Sequence, residues 1–107
     1  MINFRRFDIP VKRSVWARSS ICSSAAFQQG ELQVRLVEWD KAMVHASWCV
    51  KGHVGYVLEG VVEIDIAGEV VRYEAGDVLI LPEGEAHKHR PKVLSEKMRF
   101  FSVEKVS

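Results

Sequence analysis

The stretch Glu74-Ala75-Gly76-Asp77-Val78-Leu79-Ile80-Leu81-Pro82-Glu83-Gly84-Glu85-Ala86-His87 constrains the fold of this chain more than any other. Within it Gly76, Pro82, Gly84 and His87 stand in the spacing G-x5-P-x-G-x2-H. Gly76 permits a tight turn ahead of the apolar run Val78 to Leu81. Pro82 lacks the N–H that a sheet ladder needs and so ends that strand. Gly84 tolerates positive φ, which lets the chain fold straight back. The spacing therefore predicts a turn, a buried strand over 78–81, a second turn, and a returning strand over Ala86 to Arg90. That returning strand carries His87 one step from a sheet interior.

The remainder of the chain also reads as strands. Leu32, Val34 and Leu36 alternate with Gln33, Arg35 and Val37 at period two. Ala42 to Val50 is a further strand candidate. Tyr56-Val57-Leu58 leads through Glu59-Gly60 into Val61 to Ile66. Ala67-Gly68 then joins that run to Val70-Val71-Arg72-Tyr73 as a two-residue hairpin. Met98 to Val103 forms a last strand, and Pro91 to Lys97 offers at most one helical turn. Short strands punctuated by turns every eight to twelve residues predict an all-β sandwich or barrel. Residues 1–30 are less regular, because serines interrupt short apolar pieces. Trp16 and Phe27 are expected to tie this segment to the body.

With 107 residues, 48% of them hydrophobic, the chain suits one domain with a real core. A formal net charge of +1 gives no field that would draw nucleic acid or acidic lipid. No run of eighteen apolar residues is present, so no membrane association is expected. No apolar segment follows Arg5 and Arg6, so no secretory signal is expected. Cys22 and Cys49 are too few for a disulfide scaffold and read as reduced thiols of a cytoplasmic protein. Open sheet edges, with the irregular N-terminal residues, predict a homodimer.

Gly76, Pro82, Gly84 and His87, together with Gly55-Tyr56-Val57-Leu58-Glu59-Gly60, resemble the two sequence motifs of the cupin family. The resemblance runs from about Leu36 to Val103. It implies a single cupin domain over 1–107, a jelly-roll β-barrel that often holds a metal through histidines. The family's first motif is H-x-H, three or four residues, Glu or Gln, six residues, then Gly. Counting back from Gly60 puts His53 at the Glu/Gln position. The histidine pair would fall at Ser47 and Cys49, or at Ala46 and Trp48. No histidine stands there, and His45 lies two residues early. The Asn expected four residues after His87 is Pro91. Ser47 to Gly60 is similar to a branch of small cupins carrying Trp-Cys-x-Lys-Gly-His, with Cys49 aligned to the second histidine of the pair.

The resemblance implies a metal set of Cys49, His53 and His87, with Gly55 leaving open volume beside His53. A thiolate and two imidazoles suit one divalent transition metal, zinc or iron, with a position open to water or substrate. His45, Ser47, Tyr56 and His89 are expected to line a ligand pocket. The competing readings are a buried structural thiol at Cys49 and a turn-capping histidine at 53. Trp39, Trp48, Tyr56 and Phe100 have the makings of an apolar ligand cavity, but the reading that wins for them is core or a subunit interface. The basic cluster Lys88, Arg90 and Lys92 reads as a solvated strand end. The function expected is small-molecule binding in an interior pocket, through a divalent metal if one is held. The alternative is a metal-dependent enzyme of dioxygenase or isomerase type acting on a small polar substrate.

Overall fold

The computed structural model describes residues 16–19, 22–45 and 47–105. Nine strands follow one another along them: β1 Ala17–Arg18, β2 Cys22–Gln29, β3 Leu32–Asp40, β4 His53–Glu59, β5 Val61–Ile66, β6 Glu69–Glu74, β7 Val78–Leu81, β8 His89–Val93 and β9 Lys97–Lys105. They form a six-stranded sheet in the order β1-β2-β3-β9-β4-β7 and a three-stranded sheet in the order β6-β5-β8. Every strand pairing is antiparallel. The architecture is an all-β jelly roll. No helix of the described residues is long and apolar enough to cross a membrane.

Period-two alternation decides which side chains fill the space between the sheets. On β4, Gly55 and Val57 are buried while Val54, Tyr56 and Leu58 face out. On β9, Met98, Ser102 and Glu104 are buried in the same phase. The core joins Val57, Leu79, Leu81 and Met98 of the large sheet to Val62, Ile64 and Val93 of the small one. Turns set the registers. Ala67 (φ 51°) and Gly68 (φ 99°) both take left-handed conformations between Ile66 and Glu69, the two-residue hairpin the sequence predicts. Gly60 has φ 89°, and a Cβ there would overlap the Lys97 carbonyl oxygen.

Several expectations need correction. Within residues 1–30, where edge strands and loops are expected, residues 22–29 form one full eight-residue strand, while residues 1–15 lie outside the described part. The described residues of the segment 42–50 form no strand. The Asp40 side chain accepts from the Ala42 amide at 2.9 Å and its carbonyl from the Met43 amide at 3.0 Å, which turns the chain out of β3. Among the described residues of this segment, Cys49 alone bridges to a strand, pairing antiparallel with His89. Pro91 lies within β8, not in a helical turn. The helical turn comes earlier, as a 3-10 turn over Glu85–His87. This turn delays the returning strand from Ala86 to His89.

Candidate metal centre

The cavity between the sheets has a volume of about 240 Å3. Cys49, His53 and His89 meet at its wall, with one ligand atom from each within 4.8 Å of the others. His53 opens β4, in phase with the buried Gly55 and Val57. His89 opens β8 and is 5% exposed. Cys49 is held to His89 by two backbone hydrogen bonds of 2.9 Å, amide to carbonyl in each direction. The Cys49 Sγ lies 3.6 Å from His53 Nε2. Ligands bound tetrahedrally at ~2.0–2.3 Å stand roughly 3.3–3.6 Å apart. The Cys49–His53 pair already meets that spacing.

The outward nitrogen of each imidazole is tied to an oxygen. His53 Nδ1 is 3.1 Å from Glu104 Oε2, and a carboxylate can only accept, so Nδ1 carries the proton. His89 Nδ1 lies 3.3 Å from the His87 carbonyl oxygen, which likewise only accepts. Each ring therefore keeps its Nε2 lone pair available. This is the outer-shell arrangement that fixes tautomer and ring orientation around metal-binding histidines. Burial is the main cause holding the His53 pKa below its ordinary 6.5. The Glu104 charge opposes that effect, while the His89 and Arg35 charges add to it. The donor set thus fits a divalent transition metal: one thiolate and two neutral imidazoles, with room beside them.

Glu104 is the residue that sequence reasoning missed. It is 8% exposed, and its charge is met by His53 and, at 3.9 Å, by Arg35 Nη1. Its signal was present: an acid standing in the interior phase of the last strand, two residues beyond Ser102. Recognising it required the pairing of β4 with β9, which sets Gly55 opposite Ser102 and so His53 beside Glu104.

The structure does not bring His87 to the cavity. His87 is exposed at the end of the 3-10 turn, because the turn keeps it out of the strand, which begins only at His89. It contributes its carbonyl, and His89 takes the place expected of it. Ser47 is exposed and away from the cavity lining. Tyr56 is 43% exposed on the outer face of β4, the necessary consequence of His53 and Gly55 facing in. Gly55 leaves no open volume, since a Cβ there would sit 3.2 Å from the Phe101 carbonyl oxygen and 3.4 Å from the Leu79 side chain. His45 lines the cavity, with its ring 4.4 Å from that of Trp39 in an edge contact. Trp39 and Phe100 line the cavity also, 4.7 Å apart. Trp48 instead lies against Lys88 and Arg90, whose charged groups are 4.9 and 4.4 Å from its ring.

Comparison with solved structures gives the same fold at low sequence identity. KdgF from a Halomonas species superposes with a TM-score of 0.72 at 17% identity, over 97% of this chain and 92% of that one. An RmlC-like cupin from Shewanella frigidimarina gives 0.71 at 16% identity, over 89% and 86%. The cupin domain of Schizosaccharomyces pombe Cnp3 gives 0.72 at 13% identity, over 87% and 69%. No curated protein matches the chain in sequence. The cupin domain profile Cupin_2 matches residues 41–104, which span β4 to β8, most of β9 and all three of Cys49, His53 and His89, and the chain belongs to the cupin family.

Proposed function

We propose that this cupin binds a small molecule in its interior cavity through a divalent transition metal, zinc or iron(II), held by Cys49, His53 and His89. The observation that supports it is the convergence of three soft or borderline donors whose two imidazoles are oriented from behind by Glu104 and the His87 carbonyl. Three protein ligands leave a position for an oxygen of the bound molecule, which the ion polarises and orients. Glu104 keeps the His53 proton on Nδ1. Two free thiols, Cys22 and Cys49, fit a reducing compartment, and a cytoplasmic location is part of this proposal.

Protein purified without chelator or immobilised-metal column is expected to carry about one zinc or iron per chain by elemental analysis. Zinc affinity, read by calorimetric titration, is expected to fall by about tenfold per pH unit for each proton that binding displaces. The sign follows from the ligands: thiol and imidazole must both be proton-free, so acid competes with the metal. His53, with its pKa lowered, begins to compete only below 6.5. Absence of zinc binding at mildly alkaline pH, where competition is weakest, would end the metal reading.

One observation favours a second reading. Cys49 Sγ, His53 Nε2 and His53 Nδ1 with Glu104 Oε2 form a line of thiol, base and orienting carboxylate, at 3.6 and 3.1 Å. That arrangement suits a nucleophilic thiol. Rapid alkylation of Cys49 by iodoacetamide that zinc does not slow would favour the thiol reading over the metal one.

A further inference from the structure

His45 borders two spaces at once. One is the interior cavity of about 240 Å3, and the other is a groove of about 460 Å3. The groove runs along the outer side of the small sheet. Lys41, Met43 and Val44 form one wall, and Glu63, Asp65 and Lys92 belong to the other. Glu63 and Asp65 alternate with the buried Val62 and Ile64 on β5, which places them on the outward face. Among the described residues, His45 and Pro91 are the two that line both spaces. Two side-chain rings therefore stand between cavity and groove.

The two rings are held differently. Pro91 lies within β8 opposite Ile64 of β5, so it moves only with the sheet. His45 belongs to no strand. The backbone bonds that fix the chain after β3 end at Met43, whose amide donates to the Asp40 carbonyl at 3.0 Å. Val44 and His45 make no such bond among the described residues, and Val44 is 82% exposed. The His45 ring rests edge-on against Trp39, 4.4 Å between centroids. Its Nε2 is buried with no hydrogen-bond partner among the described residues. Burial also holds its pKa below 6.5. A buried nitrogen left unmet is destabilising, and turning the ring out to water restores its hydrogen bond. The ring thus closes the cavity on this side without being locked in place.

We propose, resting on the cavity as a ligand site and not on its metal, that His45 is a displaceable stopper that decides how long a ligand the cavity takes. A molecule that fits the cavity leaves the ring against Trp39. A cavity of about 150 Å3 accepts benzene, so the present one holds roughly ten non-hydrogen atoms. A longer molecule turns the His45 ring out and carries its far end into the groove. The ligand class that uses both spaces is elongated, apolar where it passes Trp39, and polar at the far end among Lys41, Glu63, Asp65 and Lys92.

The probes are 1-hexanol and 1-decanol, one shorter and one longer than the cavity. Each is titrated into the metal-free full chain and followed by tryptophan fluorescence. Both are neutral, so neither the metal nor the cavity's charged groups decide the ranking. Hexanol is expected to bind the wild type, His45→Ala and His45→Phe within a few-fold of one another. Decanol is expected to bind His45→Ala about tenfold more tightly than the wild type, because no ring has to leave. It is expected to bind His45→Phe about tenfold more weakly, because phenylalanine packs on Trp39 with no nitrogen left unmet. All three proteins are expected to share one far-ultraviolet β spectrum. In the wild type, decanol and not hexanol is expected to bring the His45 pKa back up toward 6.5, followed on its ring protons by nuclear magnetic resonance. Equal affinity of the three proteins for decanol overturns the role given to His45 while the cavity reading stands. Differences for hexanol as large as those for decanol, or a His45 ring unchanged in the decanol complex, do the same. Failure of both alcohols to bind any of the three proteins overturns the cavity reading and the stopper with it.

Discussion

His89→Ala is expected to lower zinc affinity by more than 100-fold, whereas His87→Ala leaves it within a few-fold of the wild type. The contrast follows from the 3-10 turn. His89 supplies a buried ring with its Nδ1 donating to a carbonyl and its Nε2 available. His87 supplies that carbonyl through its backbone, which alanine retains. Losing an outer-shell partner costs about 10–100-fold in metal affinity, and losing a ligand costs more. Because His89 packs against His53 at 5.1 Å between ring centroids, a thermal melt of metal-free His89→Ala shows whether the loss is local. Should His87→Ala abolish zinc uptake and His89→Ala preserve it, the centre at Cys49, His53 and His89 is misplaced.

Gly60→Ala is expected to destabilise the fold by about 3 kcal/mol or more, enough to leave a marginal domain largely unfolded at physiological temperature. Two costs add. The residue sits at φ 89°, where a side chain is strained. Its Cβ would also overlap the Lys97 carbonyl oxygen and lie 2.7 Å from Ser95 Oγ. Neither neighbour can withdraw freely. Ser95 Oγ accepts from the Val61 amide at 2.9 Å and donates to the Lys97 carbonyl at 2.6 Å, which joins the start of β5 to the start of β9. A urea melt with a midpoint unchanged from the wild type would contradict this account.

The contrast between the two histidines also shows where the sequence stops being legible. The span of β7, the Ala67-Gly68 hairpin and the left-handed Gly76 and Gly84 were all readable, because each depends on residues whose backbone preferences are strong and local, but the expected burial of β7 holds only for Leu79 and Leu81, since Val78 and Ile80 face out. The turn over Glu85–His87 was not. It is closed by backbone bonds alone, from the His87 amide to Gly84 at 3.1 Å and from the Lys88 amide to Glu85 at 3.3 Å, with no side-chain cap to announce it. Three unannounced residues took His87 out of the returning strand, which moved the candidate ligand to His89, two positions on and in the same strand phase. His53 was legible because a count from Gly60 crosses one continuous strand, whereas Cys49 lies beyond that strand and came only from the resemblance to the family motif. Glu104 was not, because its partner lies fifty-one positions away and only the sheet register joins them. The Ala42 to Val50 segment misled for a related reason. Its apolar residues look like a strand, yet Val44 is 82% exposed once the Asp40 turn carries the chain away from the sheet.

The backbone bridge between Cys49 and His89 has a mechanical consequence. Two of the three proposed ligands are fixed to each other before any ion arrives, and both belong to the side of the smaller sheet. His53 comes from the larger one. An ion at this point is therefore a rivet between two layers otherwise held by apolar contact. Its chelating pair loses little freedom on binding, so much of the binding free energy can go into clamping the layers together. The tightness of the sandwich at this point would then follow the local supply of metal, as the stability of any fold follows a ligand that binds only the folded state.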